Sequence, residues 1–147
     1  MITRKWDMRY LDLAALVASW SKDPSTQTGA VIVAPPRQIV SVGFNGFPRV
    51  MEDRPEWYAH RDEKLSRVIH AEVNALLLAG HVPAGCTLYT HPFPCCDRCF
   101  VQMLQAGITR FVAPSPTDAQ RERWGTAWDR VMNWARECGV QYDLLDR

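Results

Sequence analysis

The residues best suited to chemistry lie in two short segments, His70-Ala71-Glu72 and Pro94-Cys95-Cys96-Asp97-Arg98-Cys99. One imidazole and two thiolates provide three protein ligands for zinc, and a catalytic zinc site keeps its fourth position open for water. At a helix start, Cys96 and Cys99 would project to one side, and the helix dipole would favour their thiolate forms. The pattern therefore predicts a catalytic zinc site formed by His70, Cys96 and Cys99.

Glu72 is the predicted catalytic residue of this site. It follows His70 by two residues, so near a helix start its carboxylate can approach the open position without binding the metal. A general acid/base has to occupy such a position.

A closed structural zinc site is the alternative interpretation of the same cysteines. Cys96 and Cys99 would then bind zinc together with Cys95 and a histidine. Cys95 leaves the register of the ligands open, although only Cys96 keeps the three-residue spacing to Cys99. The presence of His70 and Glu72 on the preceding helix favours the catalytic interpretation.

The elements that must position these segments alternate between strands and helices. Runs of β-branched residues predict strands at 29–34, 38–44, 86–90, 108–113 and 139–145. Apolar residues spaced by three or four predict four helices. The first has an apolar stripe that Leu16 widens, formed by Trp6, Tyr10, Leu13, Val17 and Trp20. The others run from Asp62 or Ser66 to Gly80, from about Cys96 to Gln105, and from about Thr117 to Cys138. This order predicts a layered α/β domain.

The segment 45–63 lacks sustained periodicity and contains Gly46, Pro48 and Pro55. It is predicted to be a long loop, and loops of this length are usually functional or disordered. The segment is a candidate lid or regulatory element.

Composition excludes several classes of function. A length of 147 residues predicts one domain spanning 1–147, and 17 basic against 16 acidic residues give a net charge of +1. Such a chain has no global field that would attract nucleic acid or a membrane surface, so neither is an expected partner. The charged N-terminus, and the absence of an apolar run of about 20 residues, predict a cytoplasmic protein. Three of the five cysteines crowd into five positions, which suits metal ligation in a reducing compartment.

With these motifs the chain resembles the zinc-dependent nucleoside and nucleotide deaminases, whose signature is His-x-Glu followed by Pro-Cys-x-x-Cys. Cys95 departs from it, since the family usually has proline directly before the first cysteine ligand. Four blocks look like those of deoxycytidylate (dCMP) deaminases and extend the resemblance over nearly the whole chain: 21–33 (SKDPSTQTGAVIV), 43–48 (GFNGFP), 70–75 (HAEVNA) and 105–108 (QAGI). The Asn45-Gly46 pair with Pro48 favours this branch, because tRNA adenosine deaminases usually lack the long loop that follows.

The resemblance implies a three-layer α/β/α fold like that of cytidine deaminase, with a mixed central sheet of about five strands. It also implies hydrolysis of dCMP to dUMP, a precursor of dTMP, and ammonia, with one zinc ion per subunit and no redox cofactor. Zinc would activate the water that attacks C4, and Glu72 would carry protons to N3 and to the departing amine. The remaining hypotheses are a deaminase of another nucleobase, nucleoside or tRNA, and a non-catalytic binding module stabilised by zinc.

The same resemblance suggests contacts to the nucleotide. It implies that Asn45 hydrogen-bonds the sugar and that the backbone of Ala71 contacts the base. Lys22, Ser25 and Thr26 follow the first helix and are candidate donors to the 5′-phosphate. The alternatives are a turn residue before Gly46 for Asn45, and a solvated turn for the other three.

Members of the resembling family are commonly homohexamers, activated by dCTP and inhibited by dTTP with Mg²⁺ at a site between subunits. The resemblance implies a homo-oligomer here as well, with candidate effector residues Phe44, Gly46, Phe47, Pro48 and His81. Two further predictions concern packing. Trp124, Trp128 and Trp134 are expected to pack in the core or between subunits, and Cys86 and Cys138 are expected to be buried thiols.

Overall fold

A mixed five-stranded sheet forms the framework of the computed structural model, which describes residues 2–147. The strands are β1 (Gly29–Ala34), β2 (Gln38–Phe44), β3 (Thr87–His91), β4 (Arg110–Pro114) and β5 (Gln141–Leu145). Their order across the sheet is β2-β1-β3-β4-β5. β1 is antiparallel to both of its neighbours, whereas β3, β4 and β5 are parallel. All five predicted strands are confirmed, with bounds shifted by at most two residues.

Helices cover both faces of this sheet, which confirms the predicted three-layer fold. They are α1 (Arg4–Ala18), α2 (Pro55–Ala59), α3 (Arg61–Arg67), α4 (Ala71–Ala79), α5 (Asp97–Gln105) and α6 (Asp118–Cys138). α1 packs alone on one face, where its Leu11 and Ala14 meet Val31 and Val33 of β1. α4, α5 and α6 pack on the other face. No helix among residues 2–147 is long and apolar enough to cross a membrane.

The apolar stripe of α1 differs from the predicted one. Leu11, Ala14 and Val17 are fully buried, whereas Leu16 and Trp20 are 55% and 51% exposed. Tyr10 and Val17 of the predicted stripe are buried as expected. Placing Leu16 and Trp20 on it was wrong, because the helix ends at Ala18 and its core-facing side runs through Leu11 and Ala14. Cys138 is also exposed, contrary to the prediction, because the last turn of α6 points its side chain to solvent; Cys86 is buried as predicted.

The segment between β2 and α4 holds the main correction to the predicted elements. It contains two short helices, α2 and α3, where a loop was predicted up to residue 63. The predicted continuous helix ending at Gly80 is interrupted at Val68, which is extended (φ −70°, ψ 135°). Ile69 then forms an antiparallel bridge with Gly46, through hydrogen bonds of 3.1 and 2.8 Å. Because this bridge satisfies the backbone groups of Ile69, a new helix can start directly after His70.

An ionic cluster joins α1 to the parallel part of the sheet. The Arg110 guanidinium contacts Asp7 at 2.8 Å and Asp143 at 2.6 Å. The Tyr89 hydroxyl also donates to Asp7, at 2.6 Å. Asp7 is buried, so its charge depends on these two partners.

Removing Asp7 should therefore destabilise the fold. We expect Asp7→Ala to lower the free energy of unfolding by about 3 kcal/mol, because it leaves the buried Tyr89 hydroxyl without its acceptor and Arg110 with Asp143 alone. The matched control is Asp12→Ala on the same helix, where an exposed carboxylate pairs with Arg147 and the expected loss is below about 1 kcal/mol. Urea unfolding of both variants measures the difference, and equal losses would show that the cluster is not what holds α1 on the sheet.

Candidate metal and catalytic site

A cavity of about 210 Å³ opens at one end of the sheet. Gly29 begins β1 there, His91 ends β3, and Asn45 follows the last residue of β2; all three line the cavity. Side chains from α3, from α6 and from the connection between β3 and α5 complete its walls. His70 and Cys96 also line this cavity, so residues predicted for the metal site lie at this end of the sheet.

The predicted metal ligands come from the N-terminal ends of two helices. His70 is the residue before α4, and Cys96 is the residue before α5, where its sulfur accepts a hydrogen bond from the backbone N–H of Cys99. The His70 Nδ1 lies 3.6 Å from the Cys96 Sγ and 3.3 Å from the Cys99 Sγ, and all three donor atoms lie within 4.8 Å of one another. Donors bound to zinc at about 2.0–2.3 Å have separations of this size, so the residues fit a zinc ion.

The electrostatics of this cluster also suit a divalent cation. A hydrogen bond from the Cys99 thiol lowers the pKa of Cys96, and the same bond raises the pKa of Cys99. Hydrogen bonding to Cys96 likewise raises the pKa of His70. A bound cation would replace protons in this cluster, because zinc ligands must be a neutral imidazole and thiolates.

Glu72 lies beside the donors without belonging to the cluster. It is the second residue of α4, it lines the cavity, and it is only 8% exposed. Burial raises the pKa of its carboxyl. Its position is the one that the sequence predicted for a proton carrier, and that role stays a prediction.

Gly43 allows α4 to hold Glu72 in this position. A Cβ at Gly43 would lie 2.3 Å from the Ala75 nitrogen and 2.4 Å from the Ala71 oxygen, both backbone atoms of α4. Such distances are far below van der Waals contact, so only glycine permits the helix to lie directly on β2. The Asn74 side chain fixes the same contact by donating to the Phe44 carbonyl at 2.7 Å.

Cys95 lies outside the cluster of converging donors, although its place next to Cys96 made it an alternative ligand in the sequence. It is 1% exposed, and its Sγ accepts a hydrogen bond from the Tyr142 hydroxyl at 3.5 Å. Its backbone N–H donates to the same hydroxyl at 3.1 Å. A side chain held in this way faces the core, so the donors that converge are His70, Cys96 and Cys99.

Only two of the five predicted substrate contacts, Asn45 and Thr26, line the cavity. Asn45 is buried and lines the cavity, with its Oδ1 accepting from the Thr28 N–H and its Nδ2 donating to the Thr26 carbonyl, both at 2.8 Å. Thr26 also lines the cavity. Lys22 does not line it and pairs with Asp53 at 2.9 Å.

The other two predicted contacts lie beside the cavity without lining it. The Ser25 hydroxyl is engaged by Lys64 at 2.7 Å, and Ala71 is 1% exposed at the start of α4. The roles proposed for both residues stay predictions.

The five candidate effector residues lie outside this cavity. Phe44 is exposed and meets Trp20 edge-on, Gly46 bridges to Ile69, and Phe47 stacks on Tyr58 with ring centroids 4.1 Å apart. Pro48 follows in the same loop. His81 lies beyond the C-terminal end of α4, a helix length away from His70.

A buried ion pair that sequence reasoning missed fastens α3 over the cavity. Asp23 is 3% exposed and pairs with Lys64 at 2.9 Å. Its carboxylate also accepts from the backbone N–H groups of Ser25 and Thr26, at 2.9 and 3.1 Å. Burial alone would raise the pKa of Asp23, but the hydrogen bond from Lys64 and those from the backbone lower it. The sequence signal was Asp23-Pro24, which indicates a turn and carries no information on a partner 41 residues away.

An aromatic wall, formed by Phe93, Trp124 and Trp128, closes another side of the cavity. The Phe93 ring lies 4.8 Å from that of Trp124 and 5.6 Å from that of Trp128. The Trp128 Nε1 donates to the Pro94 carbonyl at 3.1 Å, next to the cysteine segment. Trp128 is buried as predicted, but both tryptophans also line the cavity, which the packing interpretation did not foresee.

Comparison with known proteins gives the family context of these residues. Residues 4–114 match the family described as the cytidine and deoxycytidylate deaminase zinc-binding region. An uncharacterized deaminase of Aliivibrio fischeri is 40% identical over 141 residues, which are 96% of this chain and 94% of the relative. A probable deoxycytidylate deaminase of Drosophila melanogaster is 38% identical over 148 residues, covering 93% of this chain and 70% of the relative. The human deoxycytidylate deaminase is 35% identical over 114 residues, 74% of this chain but only 64% of the human protein.

Solved structures agree at the level of the fold. The dCMP deaminase of cyanophage S-TIM5 in apo form is 21% identical, with a TM-score of 0.72 over 98% of this chain and 100% of the phage chain. Its complex with dCMP and dUMP gives a TM-score of 0.73 at 19% identity, over 99% and 100% of the two chains.

The converging donors lead to a test by metal content. We expect the purified protein to hold one zinc ion per chain, and Cys96→Ser to lose it to a competing chelator because a ligand is gone. Cys95→Ser is the matched control and should keep the metal, since its side chain faces Tyr142. Zinc is quantified by plasma emission spectrometry on samples whose fold is checked by circular dichroism. Loss of zinc from Cys95→Ser with retention in Cys96→Ser would reverse the assignment.

Proposed function

The chain belongs to the cytidine and deoxycytidylate deaminase family with its zinc-binding region, and from this premise we propose that it hydrolyses dCMP to dUMP and ammonia. The observation that carries the proposal is the buried Glu72, which lines one cavity together with His70 and Cys96 of the donor cluster. A closed structural site has no need of a buried carboxylate beside its ligands. A hydrolytic site needs one to move protons.

Hydrolysis replaces the amino group on C4 of the cytosine by the oxygen of water. A zinc ion held by His70, Cys96 and Cys99 would supply Lewis-acid activation of that water. Glu72 takes a proton from the water and delivers it to N3 of the ring as the water oxygen bonds to C4. It then takes the remaining proton of that oxygen and passes it to the amino nitrogen, and the bond between C4 and this nitrogen breaks to release ammonia and leave the C4 carbonyl.

The surrounding residues orient the substrate and keep bulk water out. The aromatic wall covers the cavity beside the cysteine segment. Asn45 accepts one hydrogen bond from Thr28 through its Oδ1, so the second lone pair is free to accept from a sugar hydroxyl. The backbone at Ala71, at the start of α4, would contact the base. Ser25, Thr26 and Lys22 belong to the loop proposed to lie near the phosphate.

Regulation and assembly are the less direct part of the proposal. We propose a cytoplasmic homo-oligomer, in which dCTP activates and dTTP with Mg²⁺ inhibits at the loop of Phe44, Gly46, Phe47 and Pro48 and near His81. Support comes from the exposure of Phe44 (38%) and from Leu77 and Leu78 of α4, which are 66% and 64% exposed. Adjacent large apolar side chains at the surface are typical of contacts between proteins.

Replacement of the proton carrier tests the reaction. We expect Glu72→Gln to lower kcat for ammonia release from dCMP by about 10²- to 10⁴-fold, because the amide cannot transfer protons, while zinc content stays at one ion per chain. Glu122→Gln changes an exposed glutamate of α6 and should keep full activity. If Glu72→Gln left turnover unchanged at full zinc content, the binding-module hypothesis would replace the enzyme.

The choice of substrate is tested on the unmodified protein. We expect kcat/KM to be highest for dCMP when dCMP, CMP, deoxycytidine and a tRNA anticodon stem are compared, because the most informative relatives are deoxycytidylate deaminases. Ammonia release measures the first three substrates, and base analysis measures the RNA. A preference for any of the other three would keep the deaminase chemistry and overturn the assignment of dCMP.

A further inference from the structure

The charged side chains that line the cavity are not all engaged. Asp23 and Lys64 neutralise each other across 2.9 Å. Glu72 lies with the donor cluster and is assigned to proton transfer. Arg61 and Arg123 remain, and among residues 2–147 neither forms an ion pair or a side-chain hydrogen bond, as the eight ion pairs involve other residues.

Arg61 is directed at the cavity by the helix that carries it. It is the first residue of α3, and it lines the cavity together with Lys64 and Leu65 of the same helix and with Val68, which follows the helix. Positions spaced by three and four lie on one side of a helix. Because the Lys64–Asp23 pair holds that side against the loop before β1, Arg61 is kept at the rim.

Arg123 reaches the same cavity from the other side. It lies in α6, which packs on α5 and β5, while α3 is tied to the loops next to β1 and β2. Its guanidinium lies 4.6 Å over the ring of Trp124, which in turn contacts Phe93. The aromatic ring orients the cation without neutralising its charge. Residues beyond 114 lie outside the family match, so Arg123 belongs to the part of the chain that this match does not cover.

The two guanidinium groups suit a phosphate monoester. Such a group carries a charge of about −1.5 to −2 near neutral pH, which two cations balance. Guanidinium groups also bind phosphate oxygens through paired hydrogen bonds. In a nucleotide the 5′-phosphate lies at the opposite end from the base, so a base placed at Glu72 directs its phosphate away from the metal cluster and toward the rim.

We propose that Arg61 and Arg123 together bind the 5′-phosphate of the substrate and select a nucleoside monophosphate over the nucleoside. The inference rests on the proposed function, since it deepens the choice of substrate at the same site. The main phosphate contact is thereby assigned to two arginines without acidic partners. Lys22, the candidate from the sequence, is paired with Asp53 outside the cavity.

Turnover of two substrates that differ only in the phosphate tests this selection. We expect Arg61→Gln and Arg123→Gln each to lower kcat/KM for dCMP by about 10- to 100-fold, mainly through KM, because each removes charged hydrogen bonds. Deoxycytidine turnover should change by less than about twofold. Arg121→Gln is the matched control, an exposed arginine of α6 that does not line the cavity. If a Gln variant loses its zinc, the Arg→Lys variant at that position carries the test, with part of the preference for dCMP retained.

Equal losses for both substrates, or an unchanged preference for dCMP, would overturn the phosphate assignment while leaving the deaminase in place. Binding measurements distinguish a failure of the proposed function from a failure of the phosphate site. Calorimetry with Glu72→Gln measures the affinity for dCMP and deoxycytidine without turnover, alone and combined with the arginine changes. If dCMP binding depends on both arginines but the unmodified enzyme releases no ammonia from dCMP, the proposed function fails and the phosphate site stands. If dCMP binds no more tightly than deoxycytidine, the phosphate site fails.

Discussion

The structure depends on bringing two helix N-termini to one point. His70 and Cys96 each precede a helix, and with Cys99 their donor atoms must lie within 4.8 Å of one another to share one ion. The partial positive charge at both helix starts favours thiolates and places unpaired backbone N–H groups at the edge of the site. The two helix ends therefore have to be held in register.

Two close approaches of backbone provide that register. α4 rests directly on β2 because Gly43 has no Cβ to clash with Ala71 and Ala75. The bridge between Gly46 and Ile69 then separates α3, which ends at Arg67, from α4, which starts directly after His70. The close contact at Gly43 sets the distance between α4 and the sheet, and the bridge at Ile69 sets where α4 begins. Together they explain why His70 faces the cysteines and why Glu72 is buried beside them.

Charge is distributed along the cavity in a way that matches a polar small molecule. The two cysteines at the inner end would compensate a divalent cation as thiolates, and Asp23 compensates Lys64 on the wall. Unpaired positive charge remains only at the rim among the described residues that line the cavity, on Arg61 and Arg123. The net charge of +1 for the whole chain conceals this arrangement, because a local site needs no global field. In the Arg110 cluster, by contrast, every charged group has a partner of opposite charge, and these pairs join α1 to the sheet.

The sequence by itself determined the five strands, most of the helices and the chemical types of the site residues. Runs of β-branched residues defined β1 and β2 to the residue, and the spacing of Cys96, Cys99 and His70 predicted the donors that converge. These signals are local, since the periodicity of a strand, the His70-Ala71-Glu72 motif and the spacing of Cys96 and Cys99 each extend over only a few residues. Tertiary structure decided the rest: the break before His70, the burial of Asp23 against Lys64, the direction of Cys95 toward Tyr142, and the entry of Arg123 and Trp124 into the cavity. Each depends on contact between segments that are at least 20 residues apart, and the pattern of a single segment does not contain its distant partner.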